Sequence, residues 1–296
     1  MNETCLFSDL KGYEDSTLFI IGNGFDLYHG ILSSYQNYYH WLKTKGKEAF
    51  IDGLEKIFPE KLGDRYLLWS DFEGALGSYD IPSIYKTFAE GIDTNSDEQA
   101  REIGKTNVSP IINDIIPSVK QWAKEIDITR TKPLLPLSKG SLYLTFNYTR
   151  TLEDVYMIPS SHICHIHGCI TDEGHVIVGH NNYYDRNDID NAGFPGFEEK
   201  GMMDIADCIN TLWKDPENTI KRHHSFFEKT YKVDRVVVLG HSLSAIDKRY
   251  FSEVSKRVAI DCHWHFSKYR PEDDPNITMM ISIFSIKNEN RWIFNT

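Results

Sequence analysis

The chain has 296 residues and a formal net charge of −11, with 41% hydrophobic, 13% aromatic and 25% charged residues. This balance, with 16 Phe, 16 Tyr and 6 Trp, suits a packed globular protein and excludes a largely disordered one. The acidic excess without a long basic stripe argues against duplex nucleic acid as a partner, and no apolar run approaches the roughly 18 residues of a membrane helix.

In chain order, Met1-Asn2-Glu3-Thr4 lacks the basic and apolar regions of a signal peptide, so a cytoplasmic location is expected. Thr17-Leu18-Phe19-Ile20-Ile21 is a short apolar run ending at Gly22 and reads as a buried strand. Residues 141–146 and 235–239 repeat the pattern, stopping at Asn147 and Gly240. Hydrophobicity that is continuous rather than alternating implies strands covered on both faces, as in a mainly parallel α/β sheet flanked by helices. Weaker strand candidates are 162–166, 175–178, 259–266 and 278–286.

About 120 residues separate the first two strong strands, far more than a crossover needs. They read as helical over 34–50 and 70–89, and as two pieces over 97–126 interrupted by Pro110 and Pro117. A large helical insertion over 33–135 within a single 1–296 domain is therefore expected. Residues 91–105 are polar and read as mobile, and 182–200 as a loop. Five scattered cysteines do not make a disulfide framework.

Four motifs carry chemistry. Gly22-Asn23-Gly24-Phe25-Asp26 follows a strand, where paired glycines let a phosphate approach the backbone. Leu27 stands where the dehydrogenase fingerprint wants a third glycine, so that reading fails; two turn glycines remain the alternative. Thr145-Phe146-Asn147-Tyr148-Thr149 places Asn147 at a strand's carboxyl end, either holding a ribose hydroxyl or water, or capping a helix. In His162-Ile163-Cys164-His165-Ile166-His167-Gly168, alternation puts His165 and His167 on one face, with Cys169 continuing it if the strand persists. His167 is a candidate general base and His165 a packed one; a zinc reading of His165, His167 and Cys169 lacks a fourth ligand, so no metal is expected. Gly240-His241-Ser242-Leu243-Ser244 resembles a nucleophile elbow built on Ser242, but Ser244 replaces the last glycine. Glu73 fits a capping box with Ser70.

Taken in order, Gly22-Asn23-Gly24, Thr145-Phe146-Asn147, His167-Gly168 and Gly240-His241-Ser242-Leu243 are similar to the sirtuin series. More closely, Gly22-Asn23-Gly24-Phe25-Asp26-Leu27, Phe146-Asn147-Tyr148-Thr149 with Leu152-Glu153, and His165-Ile166-His167-Gly168 resemble the bacteriophage abortive infection AbiH family. The resemblance implies a Rossmann-like, sirtuin-like nucleotide pocket in a cytoplasmic antiviral defence protein that hydrolyses NAD, its substrate, to nicotinamide and ADP-ribose. A non-catalytic nucleotide sensor or partner subunit is the alternative, and a serine hydrolase using Ser242 the third. Asn147 and His167 would be catalytic. Gly22, Asn23, Gly24, Phe25, Asp26, Thr145, Gly240 and Ser242 would contact the nucleotide. The implied partners are a nucleotide ligand, a phage-derived trigger or partner protein and a second copy of the chain; a membrane and duplex nucleic acid are not expected. Two departures stand out. Thr149 occupies the usual Asp position, and a hydroxyl clamps a carboxamide less well than a carboxylate. Asp26 replaces a small residue, and would repel a pyrophosphate if it entered the pocket but not if it capped the next helix.

Overall fold

A computed structural model describes residues 7–171, 176–185, 196–268 and 274–293. Six strands form one sheet: β1 (Thr17–Ile21), β2 (Leu142–Thr145), β3 (Ile163–His165), β4 (Arg235–Leu239), β5 (His263–Lys268) and β6 (Asn288–Ile293). Their order is β3-β2-β1-β4-β5-β6, and every neighbouring pair is parallel. This is an α/β fold with the strand order of doubly wound, Rossmann-like sheets.

The apolar runs are continuous because both faces of the sheet are covered. Leu18, Ile20, Leu144, Val236, Val238, Trp264 and Phe266 face one core, with Tyr250, Phe251 and Val254 of the Lys248–Arg257 helix. Phe19, Ile21, Tyr143, Val237 and Leu239 face the other, with Phe25, Leu152, Tyr156 and Trp292. In register across β1 and β2, the Phe19 and Tyr143 rings stack at 5.1 Å.

The chain divides into two compact units: residues 1–33, 123–176 and 215–296 hold the sheet, while 34–122 and 177–214 form the second. Among its described residues, the regular structure of the second unit is helical apart from a hairpin of Lys61–Leu62 with Arg65–Tyr66. Its core gathers Tyr38, Trp69, Phe72 and Trp122, and Tyr38 donates its hydroxyl proton to Ser118 Oγ at 2.9 Å. Buried Lys214 pairs with Glu73 at 2.8 Å. Ser70 and Glu73 therefore form no capping box; Asp71 caps the Phe72–Leu76 helix through Gly74 N–H.

Several local expectations change. Residues 278–286 belong largely to a helix, Asp274–Phe284, not a strand. Ile277 and Met280 are buried, and Ile281 and Phe284 pack against the same core, the i, i+3, i+4, i+7 stripe of a helix. β6 was not apparent in the sequence, because it is a polar edge strand whose Trp292 is buried. Residues 176–178 form no strand, and His175 lies outside the described residues. Residues 34–50 fall in two helices, Tyr35–Thr44 and Glu48–Ile57, divided near Gly46 at φ +67°. Residues 70–89 hold Phe72–Leu76 and Ile81–Ala89. Neither Pro110 nor Pro117 breaks the Ser109–Lys124 helix. Pro110 closely follows a π-helical stretch, Ile103–Val108, that runs into this helix without a break, and such a widened turn is where a helix takes up a local irregularity. Residues 97–108 are helical rather than loose, with Ala100, Ile103 and Val108 buried. The loop expected over 182–200 ends where the Gly196–Asn210 helix begins, and 186–195 lie outside the described residues.

The turns after β1 and β4 meet backbone to backbone. Gly22 and Gly24 N–H donate to Leu239 O and Gly240 O at 2.9 and 2.8 Å. A Cβ on Gly24 would lie 2.8 Å from Gly240 Cα, and one on Gly240 would collide with Phe25 N. Gly240 also has φ +63°, whereas Gly30, at φ +73°, has nothing within 4 Å of its missing Cβ. Gly30→Ala is expected to cost about 1 kcal/mol for its backbone angle alone. Gly240→Ala adds backbone overlap and is expected to cost at least about 2 kcal/mol more. Denaturant unfolding of both variants measures the difference; equal losses would show that the contact is slack.

Candidate functional site

The carboxyl ends of β1, β2, β3 and β4 bring four sequence motifs together, where ligand crevices of open α/β sheets form. Phe146 N–H donates to Ile21 O, and Ile166 N–H to Thr145 O, carrying the ladder just past the strand ends. Asn147 is 7% exposed; its amide Nδ2 donates to Gly22 O at 3.2 Å, and its backbone N–H to Thr145 Oγ1 at 3.1 Å. Asn147 Oδ1 is buried with no hydrogen-bond partner among the described residues. Such an acceptor costs about 1–3 kcal/mol unless something donates to it.

β3 ends at His165, and Gly168 at φ +83° turns the chain. His165 and His167 therefore do not share a strand face as expected; they enter different clusters. Buried His167 places Nε2 3.4 Å from Asp247 Oδ1. The other oxygen, Oδ2, lies 3.5 Å from His241 Nε2. Leu243 N–H donates to His241 Nδ1 at 2.9 Å. That donor requires a lone pair on Nδ1, so neutral His241 carries its proton on Nε2, toward Asp247. Phe146 presents its ring between the two histidines, with centroids 5.1 and 4.4 Å away. One buried carboxylate thus faces two imidazoles, an arrangement able to orient a base and stabilise its protonated form.

Asp26 neither caps its helix nor opens to solvent. Its carboxylate accepts from Thr149 Oγ1 at 2.5 Å and Thr151 Oγ1 at 2.9 Å, and Asn147 also donates to it. Burial pushes its pKa up to about 6, against the opposing pull of these donors. Thr149 therefore makes its hydroxyl bond to the unexpected acid of the β1 turn, so the two departures noted in the sequence complement each other.

The second histidine, His165, donates from Nδ1 to Asn147 O and from Nε2 to Glu153 Oε1, both at 3.0 Å. Burial opposes its charge, but hydrogen bonds and Coulombic attraction to Cys169 and Glu153 outweigh this and raise its pKa to about 10. Burial raises Glu153 and Cys169 too, yet His165 holds both below their usual values.

Of the remaining candidates, Phe25 and Thr145 are buried in the fold, and Asn23 is exposed, accepting from Ser33 Oγ at 2.6 Å. Ser242 is exposed and its carbonyl accepts from Asn276 Nδ2. Its neighbour His241 is engaged by Leu243 N–H and Asp247, and so does not serve Ser242 as a base. Sequence reading gave no role to Asp247, His241 or Glu153. Asp247 carries no local signal, since His241 stands six residues before it in the same loop but His167 comes from the turn after β3; Glu153 was visible only within a family motif.

The family model for bacteriophage abortive infection AbiH matches residues 18–268. The chain belongs to that family. Membership places it among abortive-infection defence proteins, and the match takes in every strand-end motif above. No curated protein and no solved structure matches it. No helix among the described residues is long and apolar enough to cross a membrane.

Asp26 generates a pH signature. Its folded pKa of about 6 exceeds the ordinary 3.8, so the native state binds the proton more tightly than the unfolded chain. Its contribution to stability is then greatest below pH 4 and declines as pH rises through 6, by roughly 2–3 kcal/mol. Asp26→Asn removes this titration. The stability of wild type minus that of Asp26→Asn, from denaturant unfolding, is expected to fall by that amount between pH 4 and 7. A constant difference would mean that the site holds the charge without penalty.

Proposed function

We propose that this AbiH protein defends by hydrolysing NAD to nicotinamide and ADP-ribose at the ends of β1–β4. The observation that carries the reading is the buried His167–Asp247 pair, with His167 against the ring of Phe146, the residue next to Asn147 and its orphan Oδ1 at the strand ends. In this scheme the bond between ribose C1′ and the nicotinamide nitrogen breaks, the electron pair neutralises the cationic ring, and an oxocarbenium-like centre develops at C1′. A water adds to that carbon while His167 takes its proton, and Asp247 stabilises the imidazolium. Asn147 Oδ1 accepts a hydrogen bond from a ribose hydroxyl or from the attacking water. Loss of NAD stops an infected cell from supporting phage growth.

A second reading keeps the pocket but not the chemistry: a nucleotide sensor or partner subunit of a toxic effector. One observation favours it: the Thr149 hydroxyl is engaged by Asp26 rather than offered to the carboxamide of a nicotinamide.

Chromatography of NAD incubated with the purified chain, with and without lysate from phage-infected cells, separates the readings. Under the first, nicotinamide and ADP-ribose appear, and His167→Ala, Asn147→Ala and Asp247→Asn each lower kcat/KM by about 10²-fold or more. Ser242→Ala still turns NAD over, since no step uses its hydroxyl as a nucleophile. Saturable NAD binding by calorimetry with intact NAD under both conditions would replace the enzyme by the sensor.

A further inference from the structure

Glu153, His165 and Cys169 lie apart from the His167–Asp247 pair and have no part in the scheme above. Their ligand atoms, a carboxylate oxygen, an imidazole nitrogen and a thiol sulfur, all fall within 4.8 Å of one another. The three side chains line one cleft of about 540 Å³. We infer that Glu153, His165 and Cys169 form a three-ligand zinc site whose fourth position opens on this cleft.

Four features support the assignment. The His165 ring is already oriented as a metal ligand: Nδ1–H donates to the Asn147 carbonyl, which directs Nε2 at the other two donors. Metal-bound histidines are held this way by a hydrogen bond from the second nitrogen. Glu153 Oε2 is buried and has no hydrogen-bond partner among the described residues, so the carboxylate keeps acceptor capacity that a cation beside it would use. The His165–Glu153 spacing fits, since a tetrahedral ion bound at about 2.0–2.1 Å sets N and O ligands about 3.3 Å apart, against the 3.0 Å between His165 Nε2 and Glu153 Oε1, so that Oε1 faces the ion and Oε2 remains as its second acceptor. Finally, a mixed S, N, O donor set suits zinc and not magnesium or calcium, which take oxygen ligands.

The set also corrects the arrangement that alternation suggested. His167 is absent from it because the chain turns at Gly168, and Glu153, from the turn after β2, stands in its place. Arg150 Nη1, 3.6 Å from Glu153 Oε1, steadies the carboxylate from outside. With Arg222 and Lys229 it also makes the cleft cationic, so the fourth position suits a water or a small anionic ligand.

The test is metal content, which does not depend on NAD turnover. The full chain is stripped with a chelator, reloaded with zinc, desalted and assayed by mass spectrometry, then loaded in parallel with cobalt. Wild type is expected to retain about one zinc per chain and to show a thiolate-to-cobalt charge-transfer band. Cys169→Ser and His165→Ala are expected to bind at least about tenfold more weakly and Cys169→Ser to lose the band, while Cys208→Ser and His167→Ala keep both. A wild-type chain that retains no zinc, cobalt bound without the thiolate band, or full retention by Cys169→Ser and His165→Ala would each overturn the assignment. The wild-type arms can overturn the assignment even if a variant fails to fold.

Discussion

The contact on which the rest of the sheet unit's site depends is the closure of the β1 turn on the β4 turn. Gly22, Gly24 and Gly240 are glycines because backbone atoms of one turn occupy the space where side chains on the other would begin. Strand order alone would place a crevice between β1 and β4, the point where the winding reverses. Here that point is closed by direct amide-to-carbonyl bonds, Gly22 N–H to Leu239 O and Gly24 N–H to Gly240 O. The closure holds His241 against Phe146, and His241 in turn faces Asp247, the carboxylate shared with His167. The polar groups with chemical potential therefore gather around Asn147 rather than inside the glycine turn.

A second constraint is the burial of Asp26. A carboxylate with no exposure is costly unless hydrogen bonds compensate, and here Thr149, Thr151 and Asn147 donate to it. These donors come from the segment after β2, so solvating the acid also fixes that segment's path. Asn147 is thereby anchored twice, to Gly22 O and to Asp26, with Oδ1 left over. An acid that would disturb a phosphate loop by facing it instead organises the neighbouring loop from beneath.

Legibility in the sequence followed burial. β1 and β4 could be read residue for residue, because strands enclosed on both faces write unbroken apolar runs. β6 could not, since an edge strand of Asn288, Glu289, Asn290 and Arg291 has no such run. The Asp274–Phe284 helix was mistaken for a strand because its stripe of Ile277, Met280, Ile281 and Phe284 is filled in by Met279 and Ile283, both exposed. At the site, Asn147, His167 and the glycines were visible because each stands at a strand end. Asp247 was not, because a carboxylate is assigned its partners by tertiary packing, and its own turn shows only a Ser244 cap. His165 and Cys169 were seen, but the period-two rule grouped them with the wrong histidine once the strand stopped short.

Asn147 also serves two different surroundings through different atoms. Its side chain belongs to the glycine turn and the buried acid, while its backbone carbonyl sets the ring of His165. An alanine at this position deletes the amide but keeps the carbonyl, so the orientation of His165 toward Glu153 and Cys169 does not require the Asn147 side chain. The glycine turn with its buried acid and the His165 cluster therefore share a backbone segment without sharing a functional group. The chemistry proposed for His167 and the ligation proposed for His165 are thus open to separate substitution, although only one residue, Ile166, lies between the two histidines in the chain.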